Sequence, residues 1–176
     1  ESVFTFAQTK DVEGITSQIG NREVGALGSI KYQGFAGVYD GQNFTISYAL
    51  TPAEENDNVA LFRVLENGAE IKNLKVVGEI AYNGAPVMAG LVGENNGKVS
   101  NVEIKSLSVL NTELTTLNFI TISFGGVVGV NNGIIQNVVN NAEKLEVIVR
   151  VSGISIYAGG IAAQNQHRMF VLATFQ

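Results

Sequence analysis

Apolar and polar residues alternate with a period of two in several short segments of this chain. In residues 120–124 isoleucine and phenylalanine alternate with threonine and serine, and in residues 147–152 valine alternates with isoleucine, arginine and serine. Such alternation predicts half-buried β-strands, because successive side chains of a strand point to opposite faces. Glycine and asparagine are frequent between these segments, and the chain's 20 glycines argue against a mainly helical fold.

One segment of the chain recurs. Residues 90–102 and residues 126–138 match closely at an offset of 36 with no gap, and both carry an Asn-Asn-Gly turn. A looser copy covers residues 60–74, with one residue inserted before its turn, and a partial copy begins at Gly160. Each copy offers about three short strands, which are too few to bury a face unless successive copies stack. The sequence therefore predicts an all-β fold, a parallel β-helix (β-solenoid) of about four to five coils. Val92, Val128 and Ala162 should occupy equivalent positions in it.

These repeats resemble the GLUG-motif repeats, which are named for a Gly-Leu-hydrophobic-Gly signature. That family occurs in bacterial surface proteins, including metallopeptidases that cleave immunoglobulin A. The segment Gly90-Leu91-Val92-Gly93 matches the signature in full, and Gly126-Val127-Val128-Gly129 differs only by valine for leucine. Residues 35–47 look like the coil that commonly precedes such repeats. The resemblance covers roughly residues 30–165 and implies a right-handed β-helix on an exported bacterial protein, where the repeats form a stalk or a presentation surface.

The repeat boundaries suggest one solenoid domain over residues 1–176. Residues 34–165 are expected to hold the coils, residues 1–33 to form an amino-terminal cap with room for a short helix, and residues 166–176 to form a terminal strand or cap. Caps are expected because a solenoid has exposed strand edges at both ends. The same edges are candidates for self-association.

The repeated glycines and asparagines suggest structural roles. The turns at residues 95–97 and 131–133, which end in Gly97 and Gly133, are expected to supply residues at positive φ. Gly93 and Gly129 are expected to allow close backbone approach in a narrow core. A further set of asparagines falls at one position of successive coils, where buried amides could hydrogen-bond along the axis as a ladder. This set is Asn73, Asn101 and Asn137.

Composition narrows the range of partners. A formal net charge of −5, with charged residues at 15% of the chain, leaves no basic surface for a phosphate backbone, so no nucleic acid partner is expected. The longest apolar stretches, residues 147–151 and 154–163, are interrupted or bounded by polar residues and glycines, so no membrane insertion is expected. The chain contains no cysteine, which excludes disulfides and thiolate metal sites.

Candidate catalytic and metal-binding groups are few. Asp40 lies in an Asp-Gly turn, which accounts for it without catalysis, and His167 stands without an obvious partner. The loop at residues 54–58 could bind calcium weakly through its acidic and amide oxygens, but it lacks the ligand spacing of a dedicated calcium loop. No catalytic residue, cofactor or resident metal is therefore predicted.

Exposed tyrosines are the remaining candidates for ligand contact, because aromatic rings stack on sugars. Tyr82 and Tyr157 are the candidate ligand-facing residues, and Tyr32, Tyr39 and Tyr48 complete the set. We expect a non-catalytic, secreted or cell-surface bacterial module, adhesin-like or a stalk, that binds a host protein or a glycan. Two alternatives are a carbohydrate-active β-helix enzyme, a lyase or hydrolase with an unrecognised site, and a subunit of a self-assembling surface filament.

Overall fold

Nearly all regular structure in this protein is β-strand. The computed structural model describes residues 4–52, 58–82, 85–114, 121–149 and 155–166. Within those ranges a three-residue 3₁₀ turn, Ala26–Gly28, is the only helical segment, and no helix is long and apolar enough to cross a membrane. The strands are β1 (Thr5–Ala7), β2 (Val12–Ile15), β3 (Asn21–Val24), β4 (Ile30–Gln33), β5 (Val38–Asp40), β6 (Thr45–Leu50), β7 (Asn58–Val59), β8 (Phe62–Leu65), β9 (Glu70–Tyr82), β10 (Val87–Ala89), β11 (Val92–Asn95), β12 (Lys98–Leu114), β13 (Thr121–Gly125), β14 (Val128–Asn131), β15 (Ile134–Asn140), β16 (Lys144–Val149), β17 (Ser155–Gly159) and β18 (Ala162–Asn165).

The strands form three parallel sheets that are the walls of a solenoid. Wall A contains β1, β2, β5, β6, β9, β12, β15 and β16; wall B contains β7, β10, β13 and β17; wall C contains β8, β11, β14 and β18. Each full coil adds a short strand to wall B, another to wall C, and then one long strand or two shorter ones to wall A. About four turns are stacked in this way. The prediction of an all-β parallel solenoid is confirmed.

The register follows the predicted repeat. Val92 pairs with Val128, and Val128 pairs with Ala162, so the three predicted equivalents do lie in one column. The looser copy differs from the prediction. Val92 pairs with Phe62, thirty positions earlier, whereas Lys98 pairs with Glu70, twenty-eight positions earlier. The turn of that coil therefore contains two extra residues, and the prediction of one was wrong.

The segment expected to cap the amino terminus contains coil strands. Strand β1 pairs in parallel with β5, and β2 pairs in parallel with β6, so residues 5–15 extend wall A. On wall C, Ile19 pairs with Phe62 and Phe35 pairs with Leu65. Between these two bridges the chain leaves the wall as an antiparallel hairpin, β3–β4, closed by the 3₁₀ turn.

The core consists of columns of equivalent apolar side chains. One column on wall A runs through Tyr39, Ile71, Val99 and Ile135, and its middle members Ile71 and Val99 are fully buried. Burial of an aliphatic side chain of this size contributes roughly 1.5–3 kcal/mol, so the stacked coils supply the hydrophobic stabilisation that one coil lacks. At the amino-terminal end the core becomes aromatic. The centroid of the Phe35 ring lies 5.5 Å from that of Phe62 and 5.7 Å from that of Phe6.

Candidate functional site

An outer ladder of asparagines marks one corner of the coil. Asn73, Asn101 and Asn137 have φ of 52°, 53° and 51°, a left-handed conformation that bends the long wall A strands. The Asn101 amide Nδ2 donates to Asn73 Oδ1 (3.2 Å), and the Asn137 amide donates to Asn101 Oδ1 (3.1 Å). Asn73 in turn donates to Asp40 Oδ1 (3.0 Å). The amides stack as expected, but the prediction that they are buried was wrong, because Asn101 and Asn137 are exposed at the apex of the bend.

A second, inner ladder is buried. The Asn95 Nδ2 donates to Asn131 Oδ1 at 2.7 Å, and Asn131 Nδ2 donates to Asn165 Oδ1 at 2.8 Å. Asn95 is 0% exposed and Asn131 is 2% exposed. Asn95 Oδ1 also accepts from the backbone N–H of Gly97 (3.1 Å), which fixes the turn that follows. The sequence carries a signal for this ladder, since Asn95, Asn131 and Asn165 recur at the repeat spacing, but the turn roles predicted for Asn95 and Asn131 do not include it.

The Asn-Asn-Gly turns do not use positive φ. Among the described residues, positive φ occurs at Gln42, Asn43, the outer ladder and four glycines outside these turns. The expectation for Gly97 and Gly133 was therefore wrong, and their role is spacing. A Cβ on Gly97 would lie 2.3 Å from Ala69 O, and one on Gly133 would lie 2.1 Å from Gly97 O. Side chains here would force the stacked turns apart.

Gly93 and Gly129 permit the close approach expected of them. A Cβ on Gly93 would lie 2.6 Å from Arg63 O, and a Cβ on Gly129 would lie 2.7 Å from Gly93 O. Both residues are buried on wall C. The glycines of the signature therefore set the distance between coils.

The stacked turns between walls C and A form a groove, which we call the axial groove. It has a volume of about 870 Å³ and is lined by residues 66–70, 96–98 and 132–134. These three segments belong to successive coils, which are about 4.8 Å apart along the solenoid axis. The groove therefore runs parallel to the axis and crosses three turns.

Polar side chains line the axial groove. The Asn132 Nδ2 donates to Asn96 Oδ1 at 2.9 Å and to Glu94 Oε1 at 3.2 Å, which makes a third amide pair. Asn132 Oδ1 is buried and has no hydrogen-bond partner. Across the groove floor, Lys98 Nζ lies 2.9 Å from Glu70 Oε1, and Ser100 Oγ donates to the same oxygen at 3.0 Å. The groove thus offers amide, carboxylate and ammonium groups at regular intervals.

Two carboxyl groups on wall A have lowered pKa values. The pKa of Glu70 lies below its usual value chiefly because Lys98 donates to it, and Ser100 adds to this effect against the opposing effect of partial burial. The pKa of Asp40 is lowered chiefly by the backbone N–H of Gln42, which donates to Oδ1 at 3.0 Å. This bond within the Asp-Gly turn is the structural role expected for Asp40.

These shifts predict that the protein loses stability in acid. A carboxyl group whose pKa is lower in the folded state stabilises the fold above its unfolded pKa, and this contribution is lost as the pH falls through the folded value. Urea denaturation of the wild type and Glu70→Gln tests this. The variant should be less stable at about pH 7, and the difference should shrink as the pH falls through the lowered folded-state pKa of Glu70. A difference that stays constant with pH would contradict the assigned role of the Glu70 charge.

The tyrosines do not converge on the axial groove. Tyr157 lies on β17 of wall B and is 48% exposed, while Tyr82 at the end of β9 is half-buried against the core.

The other three tyrosines have structural roles. Tyr48 is buried; its hydroxyl donates to the Gly90 carbonyl, and its ring covers Gly78. Burial raises the pKa of Tyr48, so this residue is a core group and not a ligand platform. Tyr39 joins the aromatic end of the core, and the Tyr32 hydroxyl accepts from the backbone N–H of Asn58 at 2.9 Å.

Several sequence candidates lie outside the described residues. These are His167, the terminal segment after Gln166 and all of the 54–58 loop except Asn58. In the described ranges no group of three or more acidic or histidine side chains is placed to hold a metal ion.

Comparison with protein-family models, with curated proteins and with solved structures gives no match for this chain.

Proposed function

We propose that this protein is a non-catalytic bacterial surface module that binds a neutral glycan chain along its axial groove. The observation that carries this proposal is the groove itself, in which three stacked turns present polar side chains at the coil spacing. A ligand with a regular repeat of hydroxyl groups can bond to successive turns in the same way. The side-chain amides of Asn96 and Asn132, which stack along the groove, are the polar groups of successive turns that such hydroxyl groups would contact.

A glycan suits this groove better than an extended peptide does. Peptides that bind along solenoids or sheet edges use unpaired backbone groups. The turn backbones here bond from coil to coil: Lys98 N donates to Ala69 O (2.9 Å), Ile134 N donates to Gly97 O (2.8 Å), and Asn132 N donates to Asn95 O (2.8 Å). A ligand must therefore bond mainly to side chains, and amides and carboxylates pair readily with hydroxyl groups.

Charge favours a neutral glycan over a polyuronate. The groove contains Glu66 and Glu70 against the single cation Lys98, and Lys98 is already paired with Glu70. Glu94 adds a further carboxylate beside Asn132. Carboxylates of a uronate chain would meet like charges here, which disfavours binding.

The proposed surface location draws on the resemblance to GLUG-motif repeats. A stack of coils held by amide ladders is a rigid rod, and a rod is suited to presenting a binding groove away from a cell. The location is tested by following the full-length protein in fractionated cells of its source, where it should be found in the medium or at the cell surface. Recovery only from the cytosol would contradict it.

Calorimetric titration of neutral oligosaccharides into the protein tests the groove. Affinity should rise with chain length until three coils are spanned. Asn132→Ala and Lys98→Ala should each weaken binding by roughly tenfold, which corresponds to about 1.4 kcal/mol. Asn101→Gly is the matched control, because it removes a stacked amide of the outer ladder without straining the left-handed backbone, and it should bind like the wild type.

Two results would contradict the proposal. One is equal affinity in Asn132→Ala, Lys98→Ala and the wild type, provided that thermal melting shows all three to be folded. The other is cleavage of the bound oligosaccharide, which would favour the alternative of a carbohydrate-active enzyme. Polyuronates should be neither bound nor cleaved, with or without calcium.

A further inference from the structure

Asparagine is followed directly by glycine at four places in this chain, residues 67–68, 83–84, 96–97 and 132–133. In such a pair the backbone nitrogen of the glycine can attack the side-chain amide of the asparagine, because glycine has no side chain to hinder the approach. The pair at residues 83–84 lies outside the described residues. The other three pairs line the axial groove on successive coils, so their surroundings can be compared directly.

The turn at Asn67 differs from the two turns that follow it in the stack. It contains the two extra residues of the looser repeat copy, and Asn67 and Gly68 are both exposed. Ala69 N donates to Glu66 O at 3.0 Å, which closes a β-turn, and Gly68 has the positive φ, 81°, that a type II turn requires at its third position. Among the described residues the Gly68 N–H has no acceptor and the Asn67 side chain has no hydrogen-bond partner. The two reacting groups are therefore free to meet.

The equivalent groups in the next two turns are held in place. Asn96 Oδ1 accepts from Asn132 Nδ2 at 2.9 Å, so one hydrogen bond restrains both side chains. The backbone N–H of Gly97 donates to Asn95 Oδ1 at 3.1 Å, and Gly133 is buried. An attack within either pair would break these contacts, so it requires local opening of the stacked turns.

We propose that Asn67 is a site of spontaneous deamidation at the edge of the axial groove. Gly68 N loses its proton to hydroxide and attacks Asn67 Cγ. A bond forms between these two atoms and closes a five-membered succinimide ring, while the Cγ–Nδ2 bond breaks and the nitrogen leaves as ammonia. Water then opens the ring at either of its carbonyl carbons, which gives aspartate or isoaspartate at position 67. Both products add a carboxylate to a groove lining that already contains Glu66 and Glu70.

Incubation of the folded protein in a mildly alkaline buffer tests this site. Digestion in acid, where the reaction is slow, and mass spectrometry with separation of the aspartate and isoaspartate peptides then give the rate at each asparagine. Asn67 should convert at least about tenfold faster than Asn96 and Asn132, because only the latter two need local opening. In concentrated urea the three rates should become similar, since the unfolded chain protects none of the pairs. Similar rates in the folded protein, or a preference for Asn67 that persists in urea, would overturn the proposal.

Asn67→Ser gives an independent readout in the folded protein. It is compared with the parent protein in a background that carries Asn83→Ser, so that the pair outside the described residues does not contribute. On ion exchange the parent should develop a more acidic species during the incubation, and the Asn67→Ser variant should form it at least about tenfold more slowly. Equal rates in two proteins with the same thermal melting would contradict the assignment to Asn67. Neither readout depends on glycan binding, so a failure here is distinguishable from a failure of the proposed function.

Discussion

Replacing Gly126 with alanine should lower the free energy of unfolding by about 3 kcal/mol, the upper part of the range for overpacked cores. Gly126 is the first glycine of the second signature repeat. A Cβ at this position would lie 2.1 Å from the Gly160 carbonyl oxygen and 2.3 Å from Asn140 Nδ2. The Asn140 side chain can turn aside, but the Gly160 carbonyl belongs to the backbone, so the next coil would have to move away. Urea denaturation followed by circular dichroism measures the loss.

Gly160 provides the matched control. It is the repeat equivalent of Gly126 in the following coil, but a Cβ on Gly160 would meet nothing within 4 Å among the residues that the structure describes. Gly160→Ala should therefore change stability by less than about 0.5 kcal/mol, as for most surface substitutions. Equal losses in the two variants would show that these glycines serve backbone flexibility and not the spacing between coils.

Replacing Asn131 with alanine should cost about 3 kcal/mol, because it breaks the buried inner ladder at its centre. The substitution removes the shorter of the two bonds donated by Asn95 Nδ2, which keeps its 3.3 Å bond to Ile134 O. It also removes the donor to Asn165 Oδ1 and the bond from Asn131 Nδ2 to Gly133 O. A buried polar group left unpaired costs roughly 1–3 kcal/mol. Chemical denaturation gives the free energy, and hydrogen exchange should show faster opening of the turn at Gly97.

The outer ladder supplies the comparison. Asn101→Gly removes two amide bonds at an exposed corner while glycine still adopts the left-handed backbone without strain. We expect a loss of less than about 1 kcal/mol, because water replaces the lost partners. A larger loss for Asn101→Gly than for Asn131→Ala would reverse the assignment of the inner ladder as the stabilising one.

The coils that carry the sequence repeat could be predicted from the spacing of the repeat. Residues 90–102 and 126–138 carry the same turns and apolar positions, and the structure pairs them in that register. Burial of the asparagines was predicted for the wrong set, because the repeat pattern shows which residues stack but not on which side of the wall they lie. In three successive coils a left-handed asparagine, Asn73, Asn101 or Asn137, puts the outer ladder at a bend of the wall A strand.

The first coil and the axial groove were not predictable in the same way. Strands β1 and β2 join wall A through backbone pairing, and their sequence lacks the Gly and Asn turn that identifies the repeats. The groove is a product of stacking, since Glu70, Lys98 and Asn132 are distant in sequence and meet only when three turns align. The tyrosines are candidate ligand contacts only because of their aromatic rings, and in the structure they are dispersed over the solenoid.

Chemical-shift mapping with a neutral oligosaccharide tests the proposed glycan groove most directly. Titration into ¹⁵N-labelled protein should shift the backbone amides of Gly97, Lys98 and Gly133 and the side-chain amides of Asn96 and Asn132, which line the groove. Signals of the outer ladder and of Tyr82 and Tyr157 should stay in place. Shifts centred on Tyr82 or Tyr157, or no shifts with any neutral oligosaccharide long enough to span three coils, would contradict the assignment of the axial groove as the binding site.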